Sequence, residues 1–141
     1  MKTKLLVSLM ALFMFAAFAN AQNVIGKWKT IDDETGKAKS VVELFVKDGK
    51  LYGKIVKLLN NDDLDPICYK CTGKKKDQKI IGMQIIEGLK KKGSKWEGDD
   101  GILDPGKGKI YDCKMWVDGQ ELKVRGYLGP FYRTQTWYRL K

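Results

Sequence analysis

The sequence predicts an all-β protein, a small antiparallel up-and-down β-barrel of about eight strands. Three observations carry this prediction. Beyond residue 21 no segment sustains a helical repeat of apolar residues. Short runs rich in Val, Ile, Leu, Tyr and Trp alternate instead with clusters of Asp, Gly, Asn and Lys, the pattern of antiparallel strands and their turns. The runs follow one another without a long linker, and closing the sheet removes the open edges that a basic monomer would otherwise have to protect.

Residues 1–21 read as a leader rather than as part of the fold. Lys2 and Lys4 supply a positive start, Leu5 to Ala19 is an apolar run too short to span a bilayer comfortably, and Ala19-Asn20-Ala21 is a small-x-small cleavage pattern. Cleavage is expected after Ala21. That leaves one domain over residues 22–141, with no transmembrane segment, in a periplasmic or secreted location. No cysteine follows the apolar run, which argues against a lipoprotein anchor.

The first expected strand is Val24–Thr30, ended by the turn residues Asp32 to Gly36. Lys39–Lys47 and Leu51–Leu58 flank Asp48-Gly49, a tight-hairpin signal because Gly accepts positive φ. Residues 59–79 form the longest irregular stretch. Ile80–Ile86 is then a strand or a short helix, since a brief apolar run fits both. Lys95–Leu103, Lys109–Val117, Glu121–Leu128 and Tyr132–Leu140 complete the set, separated by Asp104-Pro105-Gly106, Asp118-Gly119 and Gly129-Pro130.

Alternation assigns faces. Tyr111, Cys113, Met115 and Val117 share one side, opposite Ile110, Asp112, Lys114 and Trp116. Leu122, Val124, Gly126 and Leu128 oppose Lys123, Arg125 and Tyr127. In the last strand Arg133, Gln135, Trp137 and Arg139 lie together, either lining a partly polar interior or forming outer surface.

The chain carries 27 Lys+Arg against 17 Asp+Glu, and removing Lys2 and Lys4 leaves 25 against 17. This excess favours anionic partners, including an anionic envelope surface, while the exported address argues against nucleic acid. The two lysine runs, Lys74–Lys76 and Lys90–Lys92, are expected as solvated loops. There is no histidine, which removes the usual general base of Ser-His and Cys-His enzymes and the commonest zinc ligand. No HExxH, GxSxG or phosphate-loop pattern is present. No catalytic residue, metal site or cofactor is therefore assigned, and the expectation is a protein that is not an enzyme.

Cys68-Tyr69-Lys70-Cys71 and the distant Cys113 admit several readings. Three sulfurs without histidine suit a zinc site poorly, and Thr72 stands where a haem attachment motif needs histidine. A reactive dithiol would open a helix after a strand, whereas this motif follows Pro66 in a polar loop. A structural disulfide between Cys68 and Cys71 remains, with Cys113 buried as a free thiol. A longer bridge from Cys113 to either partner also remains open.

Two resemblances emerge from the motifs. Gly26-Lys27-Trp28 near the start, with Arg139 near the end, resembles the calycin signature. It implies an indole plugging one end of a barrel with a guanidinium across it. The second covers nearly all of residues 22–141. Its ordered blocks include Leu51-Tyr52-Gly53-Lys54-Ile55-Val56, Ile81-Gly82-Met83, Trp96-Glu97-Gly98, Ile102-Leu103-Asp104-Pro105 and Gly108-Lys109-Ile110-Tyr111-x-Cys113. Val124-Arg125-Gly126-Tyr127-x-Gly129 and Arg133-Thr134-Gln135-Thr136-Trp137-x-Arg139 follow. These resemble the DUF2147 family of exported bacterial proteins, which implies a lipocalin-like barrel without established enzymatic activity. Asp99-Asp100 and the Gly129–Arg133 stretch depart from the family pattern, and both read as turns.

Such a barrel implies a site for a small hydrophobic, amphipathic or anionic ligand. Arg125, Arg133 and Gln135 are candidates to meet its head, and Trp28, Tyr52, Tyr127 and Trp137 to supply aromatic contact. Each also has a structural reading: Trp28 as plug, Tyr52 and Tyr127 as cross-strand packing, the arginines as surface ion pairs. The alternative functions are a basic envelope-interaction protein and a thiol–disulfide redox protein using Cys68 and Cys71.

Overall fold

The computed structural model describes residues 24–141, so the expected leader and its cleavage point lie outside the described residues. Eight strands follow in chain order: β1 (Gly26–Ile31), β2 (Ala38–Lys47), β3 (Lys50–Leu58), β4 (Gln84–Lys92), β5 (Lys95–Asp104), β6 (Lys109–Asp118), β7 (Glu121–Leu128) and β8 (Phe131–Arg139). Each pairs antiparallel with the next, and β8 returns to β1, closing the barrel. Among the described residues no helix is long and apolar enough to cross a membrane.

Tight turns set much of the register. Lys47 faces Lys50, leaving Asp48 and Gly49 as a two-residue turn with φ of 53° and 74°. Two positive φ values give the turn whose twist matches that of the strands it joins. Because the strands alternate up and down, the β2–β3, β4–β5 and β6–β7 turns gather at one end. The β1–β2, β3–β4, β5–β6 and β7–β8 connections gather at the other.

The structure corrects three expectations. Residues 80–83 are irregular and the strand begins at Gln84, so the lysine run Lys90–Lys92 belongs to β4 rather than to a loop. Alternation hid this strand because the pairing shifts between Ile86 and Lys90, around Gly88 at φ 62°. Lys74 and Lys75 lie in a short 3₁₀ turn, Gly73–Lys75. Asp99-Asp100 is not a turn but a bulge inside β5, where the register shifts between Gly98 and Ile102.

The core fills the end that carries the β2–β3 turn. Trp28, Val42, Leu44, Leu51, Leu89, Met115 and Leu122 are all essentially sealed from solvent there. The inward and outward faces of β6 and β7 match the alternation: Cys113, Met115, Leu122 and Val124 are buried, while Ile110 and Asp112 are exposed. Trp28 is the plug. Its Nε1 donates to the Val24 carbonyl at 2.9 Å, and the Arg139 guanidinium lies 4.1 Å from its ring centre while Nη1 donates to the Ile25 carbonyl at 3.1 Å. This contact stands at the seam where β1 meets β8, paired at only Trp28↔Arg139 and Lys29↔Tyr138.

The long β3–β4 connection is tied down by its cysteines. Cys68 and Cys71 form a disulfide, both sulfurs in the core, and Cys68 Sγ rests 3.3 Å from the Pro105 carbonyl oxygen. The loop crosses the β5–β6 turn so closely that a β-carbon on Gly108 would overlap the Lys70 carbonyl. Cys113 is free and buried, and burial pushes its thiol up to about 12.

Candidate functional site

The filled core stops partway along the barrel. Toward the other end the interior opens into a cavity of about 480 Å³. Its walls are apolar side chains from strands all around the barrel, among them Ile55, Ile85, Ile102, Val124 and Trp137, with Leu58 and Ile80 nearer the mouth. Strand parity explains the choice, since alternate residues of each strand face inward.

One wall is polar. Thr30 and Ser40, opposite each other on β1 and β2, are buried and join their hydroxyls at 2.7 Å. Satisfying each other keeps these groups from standing unpaired in an apolar wall. On β8, Trp137 Nε1 donates to Gln135 Oε1 at 3.2 Å, and Gln135 Nε2 donates to Asp33 Oδ2 at 2.7 Å. Arg133 Nη1 lies 3.6 Å from the same carboxylate oxygen. A polar chain thus climbs from a buried indole to a charged rim.

The rim mixes charge with exposed apolar groups. Lys39 reaches to within 4.0 Å of Asp104. Leu128, Phe131 and Tyr132 project around the β7–β8 turn. Beside the mouth, Asp32 shapes the β1–β2 turn by accepting from the Glu34 and Thr35 amides at 2.8 and 3.0 Å. Those amides, Thr35 first, hold its carboxyl below the usual carboxylate range. Rim ion pairs this exposed contribute little to stability, so a ligand can displace them cheaply.

Of the seven candidates from the sequence, the structure brings Arg133, Gln135 and Trp137 to the cavity. The other four lie elsewhere. Trp28 is the plug in the packed end. Tyr52 points outward and stacks on Phe45 at 5.9 Å. Arg125 is on the outer wall, 5.0 Å from the Trp116 ring and 4.5 Å from the Tyr132 ring, with Nε donating to Thr134 Oγ1 at 2.8 Å. Tyr127 is on the same outer wall, its ring 5.8 Å from Tyr132. Parity separates Arg125 and Tyr127 from the cavity, because they alternate with the inward Val124 and Gly126.

The sequence reading missed Asp33, Thr30, Ser40 and Lys39. Thr30 and Ser40 carried a usable signal, as hydroxyl residues at inward positions of expected strands. Asp33 carried none, because its meeting with Gln135 spans 102 residues of chain.

Two features of the cysteines bear on redox chemistry. Both disulfide sulfurs are buried, and the free thiol of Cys113 is held protonated. A reactive cysteine needs exposure and a lowered pKa.

A closed eight-stranded antiparallel barrel, plugged by a Gly-x-Trp indole under an arginine and hollow at the far end, is a lipocalin-like fold. Within that class the chain belongs to DUF2147, described as an uncharacterized protein conserved in bacteria, whose family model matches residues 26–139. Among solved structures it is similar to protein HP1028 from the human pathogen Helicobacter pylori, described as belonging to the lipocalin family. The TM-score is 0.71 at 21% identity, over 83% of this chain and 82% of that one. At that identity the likeness establishes the fold alone. No curated protein matches the sequence.

Proposed function

We propose that this protein is an exported, non-enzymatic binding protein that takes a small amphipathic ligand into the open end of its barrel. The single observation that carries the reading is the cavity of about 480 Å³, apolar on most sides and polar along the wall formed by β8, β1 and β2. This size falls within the range of small-molecule sites, about 300–1,000 Å³. The ligand's apolar body would lie against Ile55, Ile85, Val124 and Trp137. Its head would meet Arg133 and Lys39 at the rim, an anionic group competing with Asp33 for the Arg133 guanidinium. The leader pattern of residues 1–21 supports export, and the absence of histidine together with the satisfied polar groups supports a binding role.

The test is a titration with dansyl-undecanoic acid, an apolar chain with a carboxylate. The reading expects saturable binding with one site per chain, energy transfer from Trp137, and affinity that falls only modestly in high salt, because the apolar body is buried while the rim contacts of the head are screened. Filling the cavity with Ser40→Phe and Val124→Phe is expected to abolish it. Equal binding by the filled variant, or no saturable binding of this or related amphiphiles, overturns the proposal.

A further inference from the structure

The outer wall of the barrel carries an arrangement that the cavity does not explain. Following the pairing from strand to strand, Lys47 faces Lys50, Lys50 faces Lys90, Lys90 faces Glu97, Glu97 faces Lys114, and Lys114 faces Arg125. These six residues form one continuous row across β2 to β7, five cations and a single carboxylate. At the usual inter-strand spacing the row runs about 24 Å around the barrel. Beside it, toward the plugged end, Lys92 faces Lys95 and Trp116 faces Lys123.

Like charges directly opposite one another destabilise a sheet. Lys47↔Lys50, Lys50↔Lys90 and Lys92↔Lys95 are three such pairs on two neighbouring hairpins. The carboxylate in the row is already committed: Glu97 binds Lys92 at 3.0 Å and Lys114 at 3.5 Å, and Lys92 first of all holds its carboxyl below the usual range. Among the described residues, Lys47, Lys50 and Lys90 have no carboxylate within 4.0 Å. The row also crosses a shallow groove of about 550 Å³, in which Lys90, Glu97 and Lys114 form part of the lining. Asp99 and Asp112 bound that groove on the side toward the cavity mouth, so the positive strip is confined to the plugged half.

Aromatic surface is built into the same wall. Trp116 lies between two cations, the Lys95 ammonium 4.7 Å and the Arg125 guanidinium 5.0 Å from its ring centre. Cations and ring faces side by side suit a partner that offers both negative charge and flat apolar patches.

We propose that this row is a binding strip for a linear acidic polysaccharide, laid across the strands with its negative groups against Lys50, Lys90, Lys114 and Arg125. Curvature decides between a polymer and a bilayer. The strip bends around a convex barrel through six strands, so a flat membrane touches only part of it, whereas a flexible chain follows it throughout. The expected export favours acidic glycan over nucleic acid as the polyanion encountered. The strip lies outside the barrel, so this proposal stands or falls independently of the cavity ligand.

The experiment is fluorescence anisotropy of a fluorescein-labelled heparin fragment with the purified protein across a salt series. The triple variant Lys50→Glu/Lys90→Glu/Lys114→Glu is compared with Lys37→Glu/Lys57→Glu/Lys70→Glu, which changes net charge equally at exposed sites off the strip. A Lys→Gln version of the strip variant guards against misfolding, with folding checked by circular dichroism. The strip variants are expected to lose at least about tenfold in affinity and to flatten the dependence on salt, while the control changes less than about threefold. Equal losses in strip and control variants overturn the proposal, because net charge alone then explains binding. Binding to phosphatidylglycerol vesicles or duplex DNA as tight as to heparin, or no binding to heparin at all, overturns it as well.

Discussion

Trp28→Ala should open the barrel at its seam. β1 and β8 meet at two paired positions, whereas β7 and β8 share eight. The seam therefore leans on side chains, and Trp28 is its centre, fully buried with Arg139 across its ring at 4.1 Å. Removing a buried Trp side chain costs about 3–5 kcal/mol, which is a large share of a small domain's total. Arg139→Ala removes a partly exposed cation–π contact and a hydrogen bond to Ile25, about 1–2 kcal/mol together. With the indole already gone, Arg139 has less to lose, so the double variant should be more stable than additivity predicts by about 0.5–1 kcal/mol. The assay is urea unfolding followed by far-ultraviolet circular dichroism, with hydrogen exchange at Lys27 and Lys29 reporting the seam. Trp28→Ala within about 1 kcal/mol of wild type, well below the truncation cost of a sealed indole, would refute the plug. Strict additivity of the pair would refute the coupling.

Three further outcomes follow from the same geometry. Cys68→Ala/Cys71→Ala should fold and lose about 2 kcal/mol in urea from the cross-link, which closes a very short loop, plus the packing cost of two buried sulfurs. Cys113, with its thiol pushed up to about 12, should resist maleimide labelling at neutral pH until the protein unfolds. Glu97 and Asp32 have folded pKa values below their ordinary 4.5 and 3.8, so the stability they contribute is complete above those values and lost as pH falls through the depressed ones. Glu97→Gln and Asp32→Asn should therefore lower stability to urea near neutrality, where the contribution is complete, and converge on wild type as pH falls through that window.

The barrel is legible in the sequence wherever strands alternate cleanly between two-residue turns. Glu121–Leu128 is found to the residue, and the faces of β6 and β7 follow from parity. β4 is not legible, because a bulge at Gly88 and a run of three lysines interrupt the two-residue rhythm that defines a strand. Asp99 and Asp100 mislead for the same reason: acidic residues beside glycine read as a turn whether they end a strand or bulge within it. The site is legible only in part. Trp137 and Gln135 belong to one stripe that alternation in the last strand groups together, but alternation alone does not say whether that stripe faces the interior or the outer surface. Arg125 and Tyr127 have the chemistry of a ligand site, although their alternation with Val124 and Gly126 already places them outside. The polar chain from Trp137 to Asp33 depends on β1 meeting β8, which local pattern does not encode.

The proposed function rests on the cavity in the hollow half of the barrel, and whatever it holds can be weighed. Native mass spectrometry of the protein purified from its native source measures this without assuming a ligand. The account predicts a small amphipathic molecule bound one per chain, retained through high salt, and absent from Ser40→Phe/Val124→Phe. A bare polypeptide mass for the gently purified wild type, or the same adduct on the filled variant, would contradict it.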